Sequence, residues 1–441
     1  MASNSSTNEG FLEKRFRLKE HGTNPRTEVL SGFTSFMTMA YILAVNPLIL
    51  ADAGMDPGAV FTATALASVI ATVLMALMAN YPFVLAPGMG LNAFFAYTVV
   101  LGMGYSWQFA LTAVFLEGII FILLSLFNVR EAIFNSIPLN LKRSVSVGIG
   151  LFIALLGFQN SGIIGAGDGV VMALGDITAP APLLAIIGLI LTGILLAKNV
   201  KGALFIGILA TTIIGIPMGV TALPTGIVSA PPSLAPTLLQ FEWANIFTLD
   251  MLLVVFTFLF VDIFDTLGTL IGVSSKADML DENGQLPKIK PALMADAIGT
   301  TAGAAMGTST VTTFVESASG VAEGGRTGLT ALTAAGLFAL ALVFSPIFLV
   351  IPSSATAPAL ILVGLFMITD IGKVDFKDYT EAIPAFLTIV MMPFAYSIAE
   401  GIVWGMVSYV LLKLLSGRHK EISITMYILA ILFVINIVFV A

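Results

Sequence analysis

The sequence predicts an all-α polytopic membrane protein of fourteen segments, arranged as two inverted seven-segment repeats with a broken half-helix in each. Three observations predict this class: a composition too apolar for water, apolar runs of bilayer length, and basic residues confined to alternate connections. Of 441 residues, 58% are hydrophobic and 10% charged. Soluble domains carry about 25% charged residues, so too little polar surface remains to cover a core of this size in water. Lipid accepts it. The net charge of −7 comes with no basic patch for phosphates, which excludes a nucleic-acid partner. The absence of cysteine removes disulfides and thiolate chemistry, and two histidines leave no zinc site, so no cofactor or metal is expected. No His–Asp or Cys–His pair suggests an enzyme. The first ten residues are polar, so insertion is expected through the first apolar segment, without a cleavable signal peptide.

A helix needs about 20 apolar residues to cross the hydrocarbon core. Runs of that length place segments near 30–50, 60–79, 86–100, 107–127, 144–165, 182–197, 202–219, 247–272, 291–305, 310–322, 328–350, 355–371, 382–397 and 400–415. All 19 basic residues fall into seven groups: Lys14 to Arg26; Arg130, Lys142 and Arg143; Lys198 and Lys201; Lys276, Lys288 and Lys290; Arg326; Lys373 and Lys377; Lys413, Arg418 and Lys420. With these segments every group falls on one side. The opposite connections carry Asp52, Asp56, Asp168, Asp176, Glu242 and Asp250 but no Lys or Arg. That pattern puts the N-terminus in the cytoplasm of a cell membrane protein. Residues 422–441 form one more uncharged run, either an extra span or a helix against the bundle.

The halves look duplicated. Each has an interrupted short segment in third place, and each has an Ile-Pro step, Ile137–Pro138 and Ile351–Pro352, entering its fifth. Seven is odd, so the copies face oppositely, as in inverted-repeat transporters.

The first interruption runs from Phe83 to Phe95 (FVLAPGMGLNAFF). One proline and two glycines within four residues break a helix. A half-helix starting near Gly88 would then point its free N–H groups into the bundle, with Asn92 and the Phe94–Phe95 pair as its useful side chains. A kinked packing helix is the alternative reading. The counterpart, Gly307 to Gly320 (GTSTVTTFVESASG), surrounds Glu316 with seven hydroxyl residues, which suits a polar, uncharged ligand. Asp262 and Asp265 lie at i and i+3 on one face of the eighth segment, and Asp296 lies in the ninth. A carboxylate at mid-bilayer costs at least about 2.5–3.5 kcal/mol and usually marks a pathway. No Lys or Arg shares these spans, so the acids must take a proton, bind a cation or hydrogen-bond a ligand. Glu117 and Glu400 are placed near span ends and read as structural.

Four stretches in order, FTSFMTMAYILAVNP (33–47), APGMGLNAFF (86–95), DIFDTLGT (262–269) and TVTTFVESASGVAEGGRTG (310–328), resemble the AzgA-like branch of the nucleobase:cation symporter-2 family. The resemblance spans about residues 20–415. It implies a core domain of segments 1–4 and 8–11 and a gate domain of segments 5–7 and 12–14. The corresponding boundaries are 1–29 for an N-terminal segment, 30–127 and 247–350 for the core, 128–246 and 351–415 for the gate, and 416–441 for the tail. It further implies proton symport of guanine, hypoxanthine or adenine, by alternating access, in a homodimer. Carried over by position, it makes Asp262, Glu316 and Asn92 substrate-binding residues, with Gly88, Phe94, Thr313 and Phe314 beside them. Asp265, a second acidic motif position, and Asp296 are assigned to proton coupling. A neutral planar purine agrees with this chemistry, since a carboxylate accepts two adjacent N–H groups and phenylalanine faces stack on the ring. The alternatives are an anion transporter of the same architecture, suited by opposed half-helix N-termini, and Na⁺ coupling in place of protons.

Overall fold

The computed structural model describes residues 11–127, 137–167, 170–224, 226–276, 279–280 and 286–439. Arg130 and Asp168, used in the charge pattern, lie outside them. Among the described residues nine helices are long and apolar enough to cross a membrane, and Met89–Gly102, Ala203–Gly215 and Tyr379–Phe394 are shorter apolar helices. Ile289–Met306 and Ser317–Ala322 complete the fourteen expected segments in order.

Two boundaries differ from expectation for local reasons. The first segment begins at Pro25, because the Asn24 side chain accepts from Thr27 N at 3.0 Å and caps a helix opened by proline. The fifth runs Leu139–Asn160, directly after the Ile137–Pro138 step, and so includes Lys142 and Arg143. Beyond it, β2 (Ile164–Gly167) and β3 (Val170–Leu174) form an antiparallel hairpin in the connection to the sixth segment, overlapping the expected fifth segment only at 164–165.

The segments pack as two groups. The ninth lies against the second and fourth, and the eleventh against the first and second. Separately, the twelfth lies against the fifth, sixth and seventh, and the thirteenth against the fifth and fourteenth. For reference we call the first group the core and the second the gate. Small residues permit the gate packing: a Cβ added at Gly150 would lie 2.8 Å from the Gly364 carbonyl.

Both broken segments belong to the core, and they cross. Strand β1 (Leu85–Pro87) of the third pairs antiparallel with β4 (Val311–Thr313) of the tenth, with Ala86 opposite Thr312. Gly88 N donates to Thr310 O at 2.9 Å and Phe314 N to Val84 O at 3.0 Å. From the crossing the chain re-enters helix at Met89 in one copy and Ser317 in the other.

Contacts between the basic connections show that they share one end of the bundle. Arg15 bonds Leu77 O, Arg143 bonds Lys373 O at 2.7 Å, Lys290 bonds Leu126 O at 2.8 Å, and Lys201 pairs with Glu323 at 2.5 Å. At the other end Tyr105 bonds Asp250 and Ser106 bonds Glu242 at 2.5 Å. There, too, the groups meet: Tyr97 of the core donates to Asp52 at 2.8 Å and accepts from Asn160 of the gate at 3.0 Å.

The tail, Ile424–Phe439, is a helix packed on the fourteenth segment (Ile398–Leu415). Its start is pinned at the basic end. Buried Lys413 pairs with Glu381 at 2.8 Å and Glu421 at 2.7 Å, while Arg418 bonds Asp378 and Glu421. The Arg418 hydrogen bonds hold the Asp378 and Glu421 carboxyls down to about 2. Farther along, the Phe433 ring meets Phe256 and Phe260 of the eighth segment at 5.4 and 6.2 Å, so the tail covers a seam between gate and core.

One buried acid is structural. Glu28, fully buried, accepts from Arg326 N, Thr327 N and Oγ1, and Thr330 N and Oγ1 at 2.7–3.2 Å, capping the eleventh segment (Gly328–Leu349). It supplies acceptors to free helix-end N–H groups and charge to the positive dipole end. Each buried donor left unpaired costs about 1–3 kcal/mol. Glu28→Ala is therefore expected to lower the melting temperature of detergent-solubilised protein by many degrees, and an unchanged melting curve would contradict this role.

Candidate functional site

The crossing of β1 and β4 brings together Gly88, Asn92, Asp265, Thr313, Phe314 and Glu316 but not Asp262 or Asp296. Proline at 87 supplies no ladder N–H, and Gly88 lets the eighth segment approach closely. A Cβ at Gly88 would lie 2.8 Å from Thr312 Cγ2 and 3.2 Å from Asp265 Oδ2. Thr312 Oγ1 donates to the same Asp265 oxygen at 3.1 Å. Asp265 thus lies against the backbone of one broken segment while bonding the other.

Glu316 stands at the entry to the tenth half-helix, where Tyr41 donates to its Oε1 at 2.8 Å. Asp265 lies within electrostatic reach of both Glu316 and Tyr41. These two carboxylates are partly exposed, whereas Asp262 and Asp296 are fully buried. Asp262 does not share Asp265's surroundings. The Thr266 hydroxyl lies 2.8 Å from Asp262 Oδ1 and 3.0 Å from Asp296 Oδ1, joining the eighth and ninth segments.

The remaining predicted residues line the crossing. Asn92 Oδ1 accepts from Ser309 Oγ, but its Nδ2 is buried with no partner among the described residues, and the same holds for Thr313 Oγ1. Buried donors are normally satisfied, and exceptions need an explanation such as a ligand. Phe94 is buried edge-on to Phe258, with centroids 4.8 Å apart, and Phe314 is buried beside the ladder.

Four contributors were not assigned roles from sequence. Tyr41, Thr266 and Thr312 all lie inside recognisable motifs, but their roles depend on which neighbour each faces. Glu117 is a correction. It lies in the middle of Trp107–Leu126, not near its end, is fully buried, and accepts from Thr310 Oγ1 at 2.5 Å. Glu400 does lie in the first turn of its helix, capped by Ser397.

The family model described as "Permease family" matches residues 26–404. The guanine/hypoxanthine permease PbuG of Bacillus subtilis is 47% identical over 96% of this chain and 99% of its own length. The chain belongs to the nucleobase:cation symporter-2 family. The adenine permease AdeP of Escherichia coli K12 is 44% identical, covering 99% of this permease and 98% of itself. Among solved structures, the transmembrane domain of the cyanobacterial bicarbonate transporter BicA aligns with a TM-score of 0.65 at 18% identity, over 86% of this chain and 97% of that one. That likeness concerns the fold alone, and it is the inverted-repeat, core-and-gate architecture.

The Gly88 contact can be tested directly in this permease. Overpacking typically costs about 1–3 kcal/mol, so Gly88→Ala should lower thermal stability and displace Asp265. Gly268→Ala, on the same helix as Asp265 with nothing within 4 Å, should be neutral. Equal melting temperatures for both variants would show that the backbone approach carries no constraint.

Proposed function

We propose that this permease imports purine nucleobases, guanine, hypoxanthine or adenine, by proton symport with alternating access. The basic end and N-terminus face the cytoplasm of the cell membrane, and two copies associate through their gates. The observation that carries the reading is the group of polar atoms at the crossing. Two partly exposed carboxylates, Glu316 and Asp265, stand near a buried amide donor on Asn92 and a hydroxyl on Thr313, both lacking partners among the described residues. Residues 27–129, 251–275 and 291–325 contain no Lys or Arg to neutralise the acids. Such a site repels anions and suits a neutral ring with N–H donors and ring acceptors on its rim. Proton uptake is the cheapest way to keep several carboxylates together in a dry interior.

In this reading Glu316, oriented by Tyr41, accepts ring N–H groups, Asp265 flanks the opposite edge, and Asp262 meets the ring from its own buried setting beside Thr266. Asn92 Nδ2 and Thr313 complete the polar contacts, Phe94 and Phe314 supply apolar faces, and Gly88 leaves room. Asp265 and Asp296 carry the exchangeable protons. Access alternates as the core rocks against the gate, and the Asp52–Tyr97–Asn160 contact closes the acidic end. The relatives named as adenine and guanine/hypoxanthine permeases support the purine class.

A charge-assisted hydrogen bond contributes about 1.5–3 kcal/mol. Glu316→Gln should therefore weaken hypoxanthine binding roughly tenfold to a hundredfold, measured by calorimetry or by competition against radiolabelled uptake with adenine, guanine, xanthine and uracil. Undiminished binding in correctly inserted protein removes Glu316 from the site. Orientation is tested separately. Cysteines placed singly at Lys142, Lys198 and Lys373 should resist impermeant thiol reagents in intact cells, with no native cysteine to interfere. Labelling from outside reverses the topology.

A further inference from the structure

We infer that Thr266 is a proton relay between Asp262 and Asp296, keeping the coupled proton on the protein while purine occupies the site. This rests on the proton-symport reading above and assigns that reaction a positioning residue.

Thr266 Oγ1 lies within hydrogen-bond distance of two carboxylate oxygens, 2.8 Å from Asp262 and 3.0 Å from Asp296. A hydroxyl has one proton to donate and lone pairs to accept with. If both carboxyls were ionised, Thr266 could offer them only one proton, shared between two like-charged oxygens. All three residues are fully buried, so water does not screen that repulsion. The repulsion is relieved when one carboxyl carries a proton and donates it to Thr266, which donates its own to the other.

The arrangement has two equivalent forms. In one, Asp296 O–H donates to Thr266 and Thr266 O–H donates to Asp262. In the other, both directions are reversed. Passing between them breaks the Asp296 O–H bond as Thr266 gains that hydrogen, and breaks the original Thr266 O–H bond as Asp262 gains its hydrogen. One proton has moved from Asp296 to Asp262, the negative charge has moved the other way, and no heavy atom has travelled.

The consequence concerns coupling. Ring N–H donors require an ionised Asp262, so arriving purine drives the proton from Asp262 onto Asp296 instead of into solvent. The proton stays aboard and crosses with the substrate. Among the described residues, the other ionisable groups on the packed segments have hydrogen-bond partners outside this pair. Asp265 lies within electrostatic reach of Asp296 but bonds Thr312, Glu316 bonds Tyr41, and Glu117 on the fourth segment bonds Thr310. No Lys or Arg lies in residues 251–275 or 291–325.

Thr266→Val keeps the side-chain shape and removes the hydroxyl, while Thr266→Ser restores it. In proteoliposomes, wild type should accumulate radiolabelled hypoxanthine against its gradient when the lumen is one pH unit alkaline, up to about tenfold for one proton per purine. Thr266→Val should still bind hypoxanthine and pass it downhill, with accumulation falling to the level without a pH gradient. Calorimetry in buffers of different ionisation enthalpy should show it releasing a proton on binding, which wild type does not. Thr266→Ser should accumulate as wild type does. Asp296→Asn should share the valine phenotype, and the double variant should be no worse than either single one, because relay members act as a unit. Full pH-driven accumulation by Thr266→Val overturns the relay, as does failure of Thr266→Ser to restore it. Loss of binding and downhill transport in Thr266→Val, with Thr266→Ser failing alike, marks a packing role and overturns it too. Wild type that binds and transports without responding to pH overturns the symport reading itself, and the relay with it.

Discussion

The constraint on which everything else depends is the satisfaction of backbone at the point where two helices are interrupted inside the membrane. Non-helical backbone at that depth is tolerated only when buried in protein or lining a cavity, since each unsatisfied group costs several kcal/mol. The two interruptions solve this for each other. Leu85–Pro87 and Val311–Thr313 form a ladder across the pseudo-symmetry axis, extended by bonds from Gly88 to Thr310 and from Phe314 to Val84. Neither segment is viable without the other, which explains why the broken stretches occupy equivalent places in two inverted copies.

That mutual pairing also creates the chemistry. Strands separate neighbouring side chains onto opposite faces, so a short ladder can leave the buried Thr313 hydroxyl without a partner among the described residues while Thr312 bonds Asp265. Close backbone approach requires glycine at position 88, and the carboxylate of Asp265 fills the space a side chain would take. The core supports the crossing with buried polar pairs: Asn46 donates to Thr64 and Thr308 at 2.7 and 2.9 Å, and Thr300 brackets Val311 through both of its backbone groups. Among the described residues the gate meets the core through the Tyr97–Asn160 bond, the Tyr97–Tyr396 ring contact, and polar contacts at the two ends, Ser106 with Glu242 and Lys201 with Glu323.

Much of this was legible in residue order. Fourteen segments, their alternation, both interruptions and the acids of segments eight to ten follow from hydropathy, charge and helix-breaking residues, all local properties. What was missed is relational. Thr266 and Tyr41 stand in recognisable motifs, yet nothing local says that one faces the ninth segment and the other Glu316. Glu117 reads as structural because it stands alone in its segment, although the expected span 107–127 already centres on it; only the fold shows Thr310 facing it. The β2–β3 hairpin falls in a stretch read only as a connection, because its glycines and Asp168 interrupt the apolar run and nothing local fixes a strand pairing. Glu28 went unnoticed for the opposite reason: at the edge of a polar N-terminal stretch it looks like a solvated charge, and only the fold carries the eleventh segment onto it.

Joint passage of purine and proton through this carboxylate group, as proposed, can be tested directly. The most direct measurement uses purified protein in liposomes with a pH-sensitive dye trapped inside. Adding hypoxanthine outside, without any imposed gradient, should acidify the lumen in step with entry of radiolabel, whether or not Na⁺ is present. Label that enters while the lumen pH stays constant, or only when Na⁺ is supplied, would contradict the account.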